Sequence, residues 1–99
     1  QRWAVLGDAA HRVINPHLFR VDEIEAVYSQ ITRPVLMVEG SDDSLSQWWK
    51  GRYSLGEFHE RLKAVPVLSR QVLPDSGHML HHDQPERLAR ALEAFLDAP

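Results

Sequence analysis

The sequence predicts an α/β chain: two parallel strands with flanking helices, the βαβα part of a larger sheet. Three observations carry that expectation. Val35-Leu36-Met37-Val38 is a continuous apolar run too short for a helix, and apolar residues on both faces are how a central strand of a parallel sheet reads. A second short strand is expected near Arg70 to Leu73. Helical stripes precede, separate and follow the two strands, an order that favours parallel pairing through a right-handed crossover.

Residues 1–20 hold Gly7, Asn15, Pro16, three arginines and two histidines among scattered apolar residues. No single period fits them, so turns and short helical pieces are expected. From Val21 the residues Ile24, Val27, Tyr28 and Ile31 mark one face of a helix, and Asp22 stands three residues before Glu25, the spacing of a capping box. Arg33-Pro34 precedes the first strand, which Glu39-Gly40-Ser41-Asp42-Asp43-Ser44 should end abruptly. Residues 45–53, with Trp48, Trp49 and Tyr53, read as a loop or an irregular turn of helix. Ser54 and Glu57 repeat the capping-box spacing, Leu55, Phe58, Leu62 and Val65 form a stripe, and Pro66 should end that helix. After the second strand and Pro74-Asp75-Ser76-Gly77-His78, a last helix is expected to open at Asp83. It has Pro85 in its first turn, Glu86 at N3, and Leu88, Leu92, Phe95 and Leu96 on one face.

The chain has 99 residues, 43% of them hydrophobic and 25% charged. That is the composition of one small globular domain, too apolar for disorder and without the roughly 20-residue apolar run of a membrane span. Eleven basic against fourteen acidic side chains leave a net charge of −3, so neither nucleic acid nor membrane is an expected partner. With no cysteine, thiolate chemistry and disulfides are excluded and the redox compartment stays open; a cytoplasmic setting is the expectation. A strand apolar on both faces needs neighbours, and sheets below about three strands are rarely stable alone. Together with a start at Gln1-Arg2-Trp3, this reads as a piece of a larger α/β domain.

In open α/β sheets the reacting groups gather at the carboxyl ends of the strands. Asp42 and Asp43 follow the first strand here, and Asp75 and His78 the second. A carboxylate on one loop can fix the tautomer of a histidine on the next and stabilise its imidazolium. The other ring nitrogen is then left to take a proton from a nucleophile.

These segments carry a family resemblance. Pro34 to Asp43, then Leu73-Pro74-Asp75-Ser76-Gly77-His78-Met79-Leu80-His81-His82-Asp83-Gln84-Pro85-Glu86 and a final amphipathic helix, resemble the C-terminal third of an α/β-hydrolase. The resemblance spans roughly residues 20–98. It implies that Asp43, in the strand-G-x-x-D turn, is the triad acid, with Asp42 as the fallback. His78, in the G-H-x-x-H-x-[DE]-x-P segment, would be the triad histidine, and His81, Asp83 and Pro85 match lesser positions of that segment. Residues 1–20 would be the end of a helical cap, and residues 21–99 the C-terminal part of the core. Trp48 and Trp49 are candidates for lining a substrate pocket. His78, His81, His82 and Asp83 have a look of metal ligands, but the loop-to-helix segment accounts for them without metal, and no cofactor is implied.

The nucleophile elbow, G-x-S-x-G, occurs nowhere in the chain. Acid and base without nucleophile and oxyanion hole cannot run acyl transfer. The expected function is therefore the acid- and histidine-bearing part of a hydrolase acting on an ester, thioester or related small molecule, inactive alone. Its partner would be the N-terminal part of the hydrolase, or another copy. One alternative is an interaction module that swaps or oligomerises through open strand edges. Another is the same fold with non-esterase chemistry, such as a dehalogenase.

Overall fold

The computed structural model describes residues 2–4 and 6–99. After a 3-10 turn at Ala9–Arg12 come α1 (Val21–Ser29), β1 (Val35–Gly40), α2 (Ser44–Trp48), α3 (Leu55–Leu62), β2 (Leu68–Leu73), α4 (Leu80–Asp83) and α5 (Pro85–Leu96). The two strands pair in parallel, in register from Val35 opposite Leu68 to Gly40 opposite Leu73. The predicted α/β order and the parallel crossover are both present.

Several boundaries differ from expectation. Asp22 does not cap α1: the N-cap is Arg20, which makes no side-chain cap bond. Instead the Arg20 guanidinium reaches the Asp22 carboxylate at 3.0 Å, so Asp22 works inside the first turn, where its charge meets the positive end of the helix dipole. Val27 is exposed while Val21, Ile24, Tyr28 and Ile31 are half-buried. Helix α3 starts as predicted, with Glu57 N–H donating to Ser54 Oγ at 3.2 Å and Ser54 N–H to Glu57 Oε2 at 2.8 Å. It ends at Leu62, before Pro66 is reached, and Val65 is buried from the turn beyond it.

Asp83 does not open the last helix but closes α4, and Gln84 occupies the N-cap of α5. Pro85 stands at the start of α5 as expected, where its missing N–H is no loss. The buried residue of α5 is Ala91, flanked by half-buried Leu88 and Phe95, while Leu96 is exposed. Ala91 and Ala94 border the same hollow as Leu73, so small residues of α5 stand beside the end of β2.

The core is small: among the described residues Leu62, Val65, Leu73 and Ala91 are the buried apolar ones. β1 is half-buried along most of its length and β2 mostly exposed, so the described strands are covered less than their apolar content requires. The segment before α1 is exposed throughout its described residues. Its Asn15-Pro16-His17 stretch is an Asx turn, with His17 N–H donating to Asn15 Oδ1 at 2.9 Å. The radius of gyration is 17.1 Å, against about 13 Å for a self-contained domain of this length. Among the described residues no helix is long and apolar enough to cross a membrane.

Candidate functional site

The site is built where the two strands end. Ser41 N–H donates to the Leu73 carbonyl at 2.9 Å, continuing the ladder one residue past β1, and Asp42 N–H donates to the Ser76 carbonyl at 3.0 Å. Ser76 is buried, and its hydroxyl donates back to the Leu73 carbonyl at 2.9 Å. The turn after β1 is thereby tied to the turn after β2. Gly40 permits the approach: a Cβ there would lie 2.6 Å from the Gly77 carbonyl oxygen, closer than side-chain atoms tolerate. Asp75 turns the chain with φ of 51°, the left-handed region that Asp accepts better than most residues. The next turn is held from below. Gly77 N–H donates to Asp83 Oδ2 at 2.9 Å and the Gln84 amide to the Asp75 carbonyl at 3.3 Å.

Asp43 and His78 emerge from these two joined turns and border one cleft of about 250 Å³, walled by Leu55, Phe58 and Leu80. Both are exposed, and no hydrogen bond joins them among the described residues. Asp43 is the N-cap of α2: Oδ1 accepts from Ser46 N–H at 3.0 Å and Oδ2 from the Ser46 hydroxyl at 2.6 Å. The Ser46 hydroxyl, then its amide, hold the Asp43 carboxyl below the ordinary aspartate range. Each carboxylate oxygen keeps a further lone pair. Asp42 borders the same cleft, but its backbone is the part engaged with Ser76.

The alpha/beta hydrolase family model matches residues 1–91. The chain belongs to the alpha/beta hydrolase family. Comparison with curated proteins and with solved structures finds no match.

In this member of the alpha/beta hydrolase family Trp48 closes α2, and its ring centroid lies 6.0 Å from that of His78. Trp49 faces the other way, packing edge-on to Tyr53 at 5.4 Å and bordering a groove of about 700 Å³ with Phe19 and Val21. Leu45 and Phe58 line both hollows, so groove and cleft share a wall. The histidines after His78 do not gather around a point: the His81 and His82 rings meet edge-on at 4.3 Å, and Asp83 is bonded to Gly77. Among the described residues no three His, Asp or Glu side chains are placed to hold a metal ion.

One cluster was not foreseen in the sequence. Glu39, in β1 and only 9% exposed, has Oε2 at 2.7 Å from His59 Nε2 on α3 and Oε1 at 2.9 Å from Arg70 Nη2 on β2. Arg70 Nη1 lies 3.2 Å from His59 Nδ1, closing a ring of three side chains. The signal was present: a carboxylate directly after four apolar strand residues is buried at heavy cost unless paired. Which residues pair with it depends on register and helix placement.

Proposed function

We propose that this chain supplies the acid, Asp43, and the base, His78, of a nucleophilic triad in a hydrolase acting on an ester, thioester or similar small molecule. The observation that carries the reading is that both residues stand on hydrogen-bonded turns at the carboxyl ends of adjacent parallel strands and open into one cleft. His78 takes the proton from the nucleophile's hydroxyl and returns it to the leaving group. Asp43 orients the imidazole and stabilises its charged form, a task for which a carboxyl held ionised by Ser46 is suited. The nucleophile and oxyanion hole come from a segment outside these residues, a reading supported by the lack of a G-x-S-x-G sequence. Residues 21–99 form the core part and residues 1–20 the end of a cap. Trp48, beside His78, and Trp49, in the adjoining groove, receive the apolar part of the substrate.

The test is His78→Ala and Asp43→Asn in the hydrolase assembled with its nucleophile, assayed on p-nitrophenyl esters. His78→Ala is expected to lower kcat by roughly a thousandfold or more. Undiminished hydrolysis sinks the reading.

A second reading is favoured by the sheet itself. Among the described residues β1 and β2 pair only with each other, so each has an edge open to another strand. An interaction module would associate through those edges. Light scattering that finds a folded monomer across a wide concentration range removes it.

A further inference from the structure

We infer that Glu39, His59 and Arg70 are positioning residues for the Asp43–His78 pair, acting through a closed ring that fixes both the end of β1 and the distance of α3 from the sheet. The inference rests on the hydrolase reading for its functional sense, though not for its geometry.

The ring joins three elements. In register, Met37 lies opposite Arg70 and Glu39 opposite Val72, so Glu39 and Arg70 share a sheet face two residues apart. His59 comes down on that face from α3. The donors decide the protonation pattern. Arginine can only donate, so His59 Nδ1, 3.2 Å from Arg70 Nη1, must accept. The ring is then a neutral imidazole whose proton sits on Nε2, donated to Glu39 Oε2 at 2.7 Å. One carboxylate, one guanidinium and one neutral imidazole leave no uncompensated charge around the buried Glu39. A proton on Nδ1 would set donor against donor and break the Arg70–His59 side of the ring.

Its placement gives the ring a task. Glu39 borders the cleft and precedes Gly40, whose contact with the Ser76–Gly77 backbone sets the spacing of the two turns. Phe58, beside His59 on α3, is a wall of the cleft. Pinning Glu39 and His59 together therefore fixes the loop that carries Asp43 and the wall opposite it. Misplacement of reacting groups by about 1 Å costs on the order of a hundredfold in rate.

Two measurements test this. In the 99-residue chain, nitrogen-15 spectra of the imidazoles at pH 8 are expected to show His59 bare at Nδ1 and protonated at Nε2. Arg70→Gln is expected to release that pattern and to move the His78 and Trp48 signals as well. A His59 proton on Nδ1, or unmoved His78 and Trp48 signals in Arg70→Gln, overturns the inference without reference to hydrolysis. In the assembled hydrolase, His59→Ala and Glu39→Gln are expected to lower kcat per folded molecule tenfold to a hundredfold with KM nearly unchanged, and Arg70→Lys to recover only part of the loss in Arg70→Gln. A merely structural ring would reduce the folded fraction and leave kcat per folded molecule at the wild-type value, which also overturns the inference. Failure of His78→Ala to affect hydrolysis would instead count against the triad.

Discussion

Gly40 and the carbonyl of Ser76 lie so close that no side chain fits between them. One strand end is thereby set directly against the turn that follows the other, and the positions of Asp43 and His78 both follow from that contact.

Gly40→Ala is therefore expected to be severely disruptive. The obstacle is backbone on the far side rather than a flexible side chain, so it cannot yield by changing rotamer. A loss of about 2–3 kcal/mol or more is expected, read as a lowered urea midpoint. Wild-type stability in this variant would mean that the two turns are not in contact.

Asp43 links local stability to pH. Its carboxyl is held below the ordinary value of 3.8, chiefly by the Ser46 hydroxyl and then by the Ser46 amide. A lowered folded value means the stabilisation is fully present above about pH 3.8 and is lost as pH falls through the lower folded value. Ser46→Ala should move the Asp43 titration back up toward the ordinary range, as followed by carboxyl carbon-13 shifts. An unmoved titration would show that the Ser46 hydroxyl is not the chief cause.

The start of α3 depends on a reciprocal pair, Ser54 and Glu57. Ser54→Ala removes the acceptor for Glu57 N–H and is expected to cost about 1 kcal/mol, whereas Ser54→Asp should cost much less because it keeps an N-cap acceptor. Chemical denaturation of the two variants side by side checks the order.

Leu73 is 2% exposed and closes the end of β2. Leu73→Ala is expected to cost about 2–5 kcal/mol, a large share of the stability of a small domain. A loss under about 1 kcal/mol would mean that the end of β2 is not packed in solution.

Much of this was legible beforehand. The run Val35 to Val38 could only be a strand, because it is apolar on successive residues and too short for a helix. Ser54 and Glu57 announced a helix start because a capping box is completed within four residues. Asp83 and Glu86 have the same spacing and form no box. There the Gly77 amide takes the Asp83 carboxylate at 2.9 Å, a bond six residues away that spacing alone cannot rank against a cap. Asp22 was diverted in the same way by Arg20.

The sequence by itself determined the order of α1, β1, α3, β2 and α5, though not α2 and α4, as well as the parallel pairing, the family and the placement of Asp43 and His78 on consecutive strand-end turns. The order, the pairing and the placement follow from local periodicity and turn chemistry, and the family from the resemblance of the two segments that end the strands. The tertiary structure alone decided that the two turns are bonded to one another, Ser41 to Leu73 and Asp42 to Ser76, with Gly40 leaving room for the approach. It also decided that Glu39 is buried against His59 and Arg70. Those pairings depend on strand register and on how closely a helix approaches the sheet. They are set when distant residues meet and the cost of burying each charge selects its partner.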